Sequence, residues 1–212
     1  TTVVSDEDGT RSNTWLHDDK GRLVGVVDAD EQRQSTSYDR WGNRVLLTER
    51  DGSTTVHEYD ARGRRTRTVT PSGADVTYGY DDLDRVTTVV TEQGAVTEYT
   101  YEGEQRNPST ILDPEGGLSR LVWADGLLTE IVDPTDVVVR FSYDAHGDLV
   151  GTTSALGSTA RLERDDLGRV TAAITPSGHT TTYTYDPASG LLAQRRNPDG
   201  GVWRYEYTTG GR

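Results

Sequence analysis

Four histidines, several adjacent carboxylates and two Pro-Ser-Gly steps are the residues of this 212-residue chain that could do chemistry. His17, His57, His146 and His179 could each act as a general base or a metal ligand near neutral pH. Asp18-Asp19, Asp81-Asp82 and Asp165-Asp166 supply the two carboxylates that glycoside hydrolysis needs at a set separation. Asp6-x-Asp8-Gly9 matches the opening of a calcium loop, although no flanking helices are expected and no Glu stands at the twelfth position. Pro71-Ser72-Gly73 and Pro176-Ser177-Gly178 hold serines on turns, but neither fits the G-x-S-x-G nucleophile elbow. Cysteine is absent, so thiolate chemistry and disulfides are unavailable. No glycine-lysine loop that would cradle phosphate is present.

These candidates are positioned by a repeat. A column of His17, Tyr38, Tyr59, Tyr80, Tyr101, Trp123, Tyr143, Arg164, Tyr185 and Tyr207 recurs at spacings of 21, 21, 21, 21, 22, 20, 21, 21 and 22 residues. Asp follows in seven of the ten, as Asp18, Asp39, Asp60, Asp81, Asp144, Asp165 and Asp186. A fixed period of this size marks one supersecondary unit copied along an array. Chemistry must then be sought as a departure from the pattern.

Two glycine columns divide each unit. The first runs Gly21, Gly42, Gly63, Gly126, Gly147, Gly168 and Gly190, with Asp84 and Arg106 as substitutes. The second lies ten residues further on, with Glu31 and Asp136 as substitutes, and the next column residue always follows it after seven. All length variation therefore falls between the Tyr and the first Gly, in a loop that tolerates insertion. The second column reads as a turn, because Pro71, Pro114, Pro134, Pro176 and Pro198 sit two residues before it. Asp51-Gly52 is a hairpin signal of another kind.

The arms between these turns read as strands. Val76-Thr77-Tyr78-Gly79-Tyr80 and Thr181-Thr182-Tyr183-Thr184-Tyr185 alternate with period two and favour extended backbone. The unit is a β-hairpin, and the expected fold is an all-β array of antiparallel hairpins, coiled by the right-handed twist of its strands. Tyrosines of successive repeats are expected to stack in a ladder, and each motif Asp to accept a backbone N–H of its own loop. On this reading His17 and His57 replace rungs of the ladder. His146 sits in a variable loop, His179 follows a turn glycine, and the paired carboxylates are loop caps. No catalytic, cofactor-binding or metal-binding residue is assigned. Opportunistic calcium binding at stacked Asp loops stays open.

Formal net charge is -13, from 35 acidic and 22 basic residues, which repels phosphate backbones and argues against nucleic acid as a partner. The hydrophobic share of 32% is low for a two-layer core but enough for a wall one sheet thick. No apolar run is long enough to insert in a membrane as a helix. Methionine is lacking altogether, including at the start, so the chain reads as an internal piece of a longer protein. Residues 1–13 are expected to be a lead-in or partial repeat, and residues 14–212 about nine hairpin repeats in one continuous array.

Together these residues resemble the YD-repeat, or RHS-repeat, family, whose motif is Tyr-Asp-x-x-Gly-Arg followed by a strand, a turn and a return strand. Tyr59-Asp60-Ala61-Arg62-Gly63-Arg64 fits it in full, and Asp165-Asp166-Leu167-Gly168-Arg169 fits apart from Arg164 in the Tyr place. Tyr38-Asp39-Arg40-Trp41-Gly42 and Tyr143-Asp144-Ala145-His146-Gly147 fit with substitutions after the glycine. The resemblance covers roughly residues 14–212. It implies a hairpin spiral that closes into a hollow, cocoon-like shell. Bacterial members are exported polymorphic toxins and insecticidal toxin-complex components whose shell encloses a C-terminal toxin, and animal teneurins build an extracellular adhesion barrel from related repeats. Some bacterial members end the shell with an Arg-Tyr…Asp-Pro-x-Gly segment at which an aspartate-dependent cut frees the toxin. Asp113-Pro114-Glu115-Gly116 is similar, but Asp133-Pro134 and Asn197-Pro198 occupy the same columns as ordinary turns.

The implied role is a non-enzymatic wall segment of a secreted or cell-surface protein. Its partners would be an enclosed toxin or other domain of the same parent chain and the neighbouring repeats, with self-association through exposed strand edges. An extracellular adhesion module that binds glycans or proteins, with exposed aromatics stacking on sugars, is the second reading.

Overall fold

The computed structural model describes residues 2–5 and 12–207. Two compact units divide the chain: Thr1–Thr100 with Leu112–Glu115, and Tyr101–Ile111 with Gly116–Arg212. The first holds strands β1 (Thr2–Ser5), β2 (Ser12–His17), β3 (Leu23–Val27), β4 (Arg33–Tyr38) and β5 (Arg44–Thr48). It continues with β6 (Thr54–Tyr59), β7 (Arg65–Val69), β8 (Asp75–Tyr80), β9 (Val86–Thr91) and β10 (Val96–Thr100). Each pairs antiparallel with the next in sequence, so the unit is a meander of hairpins.

The short β11 (Thr110–Leu112) follows a loop over 101–109. The second unit then runs through β12 (Leu118–Ala124), β13 (Leu127–Val132), β14 (Val138–Tyr143), β15 (Leu149–Thr153) and β16 (Thr159–Arg164). It ends with β17 (Val170–Ile174), β18 (Thr180–Tyr185), β19 (Leu192–Arg196) and β20 (Val202–Arg204), again paired in chain order.

The hairpin of β6 and β7 shows how the faces separate. Val56 pairs with Val69 and Glu58 with Arg67 on one face, while His57 opposes Thr68 and Tyr59 opposes Arg65 on the other. The tyrosine face is half-buried, whereas Val56 and Glu58 are exposed. Charged cross-strand pairs hold the outer positions, as in Arg67 with Glu58 at 2.7 Å and with Asp75 at 2.6 Å, or Arg140 with Glu130 at 2.8 Å. Among the described residues Ala172 is the one buried hydrophobic side chain, and no side chain is completely enclosed. Each unit is therefore a single layer without a core between layers. Where two positions must approach closely, one is small: a Cβ on Gly79 would collide with the Thr88 hydroxyl.

Both glycine columns make the same turn. In the loop after Tyr59, the Gly63 amide donates to the Asp60 carbonyl (3.0 Å) and the Asp60 amide to the Arg64 carbonyl (2.9 Å). At the far end of the hairpin the Gly73 and Thr70 amides repeat this with the Thr70 and Ala74 carbonyls, both at 2.9 Å. This is a type I turn closed by a residue with positive φ. Glu31, Asp84 and Asp136 take the same backbone conformation, with φ of 60°, 62° and 63°, so those substitutes do the glycine's work. Arg106 does not; the positive φ in its loop belongs to Gly103. Asp125 and Gly126 both have positive φ and close a two-residue turn, which accounts for the 20-residue spacing after Trp123.

Eight of the ten column residues, all but Tyr101 and Tyr207, are paired at a register shift. Two residues of the outgoing strand oppose one on the return strand: Arg44 faces Tyr38, Leu46 faces Ser37, and Val45 is extra. The carbonyl beside that extra residue is taken by the tyrosine of the next repeat. Tyr38 donates its hydroxyl to the Leu23 carbonyl (2.9 Å), Tyr59 to Arg44 (3.0 Å) and Tyr80 to Arg65 (2.6 Å). Tyr143, Tyr185 and Tyr207 do the same to Leu128, Val170 and Leu192. The Trp123 indole N–H reaches the Pro108 carbonyl at 2.8 Å, and the Arg164 guanidinium straddles the Leu149 carbonyl at 3.3 and 3.4 Å.

The expected tyrosine-on-tyrosine ladder is not what joins the repeats. The described ring pair is His57 with Tyr59, edge to face at 6.5 Å. Over the tyrosine faces lie arginines instead: Arg22 over Tyr38, Arg64 over Tyr80 and Arg169 over Tyr185, at 4.5–4.8 Å. A column that needs a long side chain ending in a donor explains why Trp and Arg substitute for Tyr.

The motif aspartates brace the loops as expected. Asp60 accepts the amides of Arg62 (2.9 Å) and Arg64 (3.0 Å) on one oxygen and the Arg64 Nε (2.7 Å) on the other. Arg64 then reaches the Asp81 carbonyl of the next loop at 2.9 Å. Burial pushes the Asp60 carboxyl up, but the Arg64 and Arg62 amides and the Arg64 guanidinium outweigh it and hold it below the usual carboxylate range. The Arg169 guanidinium does this at Asp165, and the Asp148 amide at Asp144. Asp18, Asp39, Asp81 and Asp186 are lowered too.

Two outcomes follow. Tyr59→Phe keeps the ring but strands the Arg44 carbonyl, and should lower stability by about 0.5–1 kcal/mol in chemical denaturation; a neutral result would restore ring packing as the role of the column. By the same logic Arg164→Leu should cost more than Arg164→Tyr. Because the seven aspartates have folded-state pKa values below their unfolded ones, their stabilisation is intact above about pH 4 and is lost as pH falls through the lowered values. Melting temperature by circular dichroism should therefore hold from neutrality to about pH 4 and drop below it, and Asp60→Asn should soften that drop.

Candidate functional site

The four histidines stay apart. His17 ends β2 at a register shift opposite Leu23 and is exposed. His57 lies half-buried on the tyrosine face with Nδ1 3.1 Å from the Thr68 hydroxyl, and burial, followed by the charges of Arg65 and Arg44, pushes its pKa down. His146 belongs to the loop capped by Asp144. His179 contacts the Ser177 hydroxyl at 2.7 Å. That serine-histidine pair has the distance of a nucleophile and its base. Ser177 also contacts the Thr175 hydroxyl at 2.9 Å, and Thr175 accepts the His179 amide, so the group caps an exposed turn as Asp133 caps its own. No described acid orients the imidazole.

The carboxylate pairs also resolve into structure. Asp18, Asp81 and Asp165 each hold an arginine at 2.7 Å, from Arg22, Arg85 and Arg169. A glycosidase acid needs a raised pKa, and these three are lowered. Their neighbours Asp19, Asp82 and Asp166 point to solvent. Among the described residues no group of three or more His, Cys, Asp or Glu could hold a metal ion. The Asp6-x-Asp8-Gly9 candidate lies outside the described residues.

Two concavities in the second unit remain. One, of about 350 Å³, follows the tyrosine face past Thr152, Ala160, Leu162, Ala173 and Thr181. The other, of about 330 Å³, is lined by Gln105, Arg106, Asn107, Trp123, Asp125 and Gly126. It coincides with the break in the array: the 22-residue and 20-residue spacings, Arg106 in a glycine column and Trp in the tyrosine column. Those irregular spacings were the sequence signal for it.

Residues 8–121 match the Teneurin YD-shell family, and residues 123–159 and 164–189 match the RHS Repeat family. The comparison with curated proteins gave no match. Among solved structures, the crystal structure of TcdB2-TccC3-Cdc42 aligns over 95% of this chain at 19% identity, with a TM-score of 0.58. TcdB2-TccC3 without its hypervariable C-terminal region aligns over 93%, also at 19% identity, with a TM-score of 0.57. This chain spans only 14% and 13% of those chains, so the likeness is one of fold. A 21-residue hairpin with a register shift at the strand-ending Tyr, an Asp-braced loop and an arginine reaching the next loop, as at Tyr59, Asp60 and Arg64, is the structural content of the matched motif, and the chain belongs to the teneurin YD-shell family.

Proposed function

We propose that this chain is a section of shell wall that encloses and shields a toxin carried by the same parent chain, and that it catalyses nothing itself. One observation carries the reading. The residues with chemical potential are consumed by wall building: each motif Asp is tied to its own loop amides, and the motif arginines of four repeats are ion-paired to those aspartates. Family membership and the fold shared with TcdB2-TccC3 support it. A wall must release its cargo, and polar inward-facing positions would suit that release. Shells of this kind belong to exported proteins, and a secreted or cell-surface location follows from that reading.

A second reading, an extracellular adhesion module, is favoured by a single feature, the open cavity beside Trp123.

Limited proteolysis of the full-length parent tests the primary reading. The cargo should resist protease while the shell is folded and become cleavable at the acid or temperature at which the shell melts. Cargo digested at the rate of the free domain inside an intact shell would reject enclosure.

A further inference from the structure

The cavity beside Trp123 is the place where the repeat leaves its pattern, and its chemistry differs from that of the wall. In four of the nine units the residue after the first glycine column is an arginine (Arg22, Arg64, Arg85 and Arg169), and the guanidinium of Arg22, Arg64 or Arg169 covers the next tyrosine, as Arg64 covers Tyr80 at 4.8 Å. Here that residue is Asn107 and the ring is Trp123. Asn107 is too short to cover the indole, and no described cation lies over Trp123. Asn43 makes the same exchange, but its amide is committed to Asp39 at 2.9 Å. Asn107 makes no such bond. Among the described residues the side chains of Arg106, Asn107 and Asp125 form no hydrogen bond or ion pair, whereas Asn43 and Arg64, at the position equivalent to Asn107, are tied to Asp39 and Asp60.

The space of about 330 Å³ that results falls within the usual size of a small-molecule site, about 300–1,000 Å³. Its frame is held: the indole N–H is fixed on the Pro108 carbonyl at 2.8 Å, and Asp125 and Gly126 are locked in a two-residue turn. Facing one aromatic surface are a guanidinium with donors only, a carboxylate with acceptors only and an amide with both. A net anion would meet Asp125 and a net cation Arg106. A neutral ring with an apolar face and a rim of hydroxyl groups uses all four.

We infer that this cavity binds a pyranose ring of a neutral glycan, its C–H face on Trp123 and its hydroxyls shared among Arg106, Asn107 and Asp125. The site is independent of cargo enclosure and would give the wall a recognition function of its own.

Isothermal titration calorimetry of the intact chain against methyl α-glucoside, methyl β-galactoside and methyl α-mannoside tests it, with L-alanine as a zwitterion of similar polarity. At least one glycoside should bind with an affinity on the order of millimolar. Arg106→Gln and Asp125→Asn should each weaken it about tenfold. Asn tolerates the positive φ at 125, so that variant keeps the turn. Asn107→Arg, which restores the covering cation of the regular repeat, should abolish binding while circular dichroism stays unchanged. Binding of none of the glycosides, binding of alanine alone, or glycoside binding indifferent to Arg106→Gln and Asp125→Asn would overturn the assignment.

Discussion

A sheet with no second layer must hold itself together in its own plane, and that constraint shapes this protein. Only Ala172 is a buried hydrophobic residue among those described, so burial of a core cannot supply cohesion. Hydrogen bonds between repeats supply it instead. The central one runs from the hydroxyl of Tyr38, Tyr59, Tyr80, Tyr143, Tyr185 and Tyr207 to the carbonyl beside the previous repeat's extra residue. The register shift takes that carbonyl out of the strand ladder, and a carbonyl left without a partner is costly. The defect in one hairpin thus becomes the attachment point for the next. Substitution by Trp123 and Arg164 preserves the donor and discards the phenol, which shows what the position demands.

The loops add a second line of attachment along the sheet edge. Asp60 fixes the shape of its loop and the direction of Arg64 at once, and Arg64 extends to the Asp81 carbonyl and the Tyr80 ring. One motif therefore codes for a turn, an ion pair and a contact with its successor. Groups bound this way are held in their ionised form and committed to their own loops. A low pKa in each motif carboxyl is the electrostatic mark of a brace, where an active-site acid would carry a raised one. Variation is left to the residues the motif does not fix, and around Trp123 it leaves the Arg106, Asn107 and Asp125 side chains unpaired beside the ring.

Much of this was legible in the sequence, because repetition turns single residues into columns. The 21-residue period gave the hairpin, the Pro and Gly positions gave the turns, and the Tyr-Asp spacing gave the loop brace. The rung was misjudged for a physical reason. Tyrosines 21 residues apart look stackable, yet each lies two strands from the next, roughly 10 Å away, beyond ring contact. The intervening space admits an arginine, as Arg64 between the loops shows. Arg106 was also misplaced, since a column position does not reveal backbone dihedrals once an insertion displaces the glycine to Gly103.

The sequence by itself determined the all-β hairpin repeat, the turns at fixed intervals and the elastic loop after each Tyr. Local backbone preferences and period-two patterning are encoded within one repeat, so they can be read from it. Tertiary structure decided what each side chain meets in the neighbouring repeat: the carbonyl for Tyr38, the ring for Arg169, and open space for Asn107 and Trp123. Those partners lie 15 or 16 residues away, at the open ends of two paired strands, and only the folded sheet brings them within a bond's length.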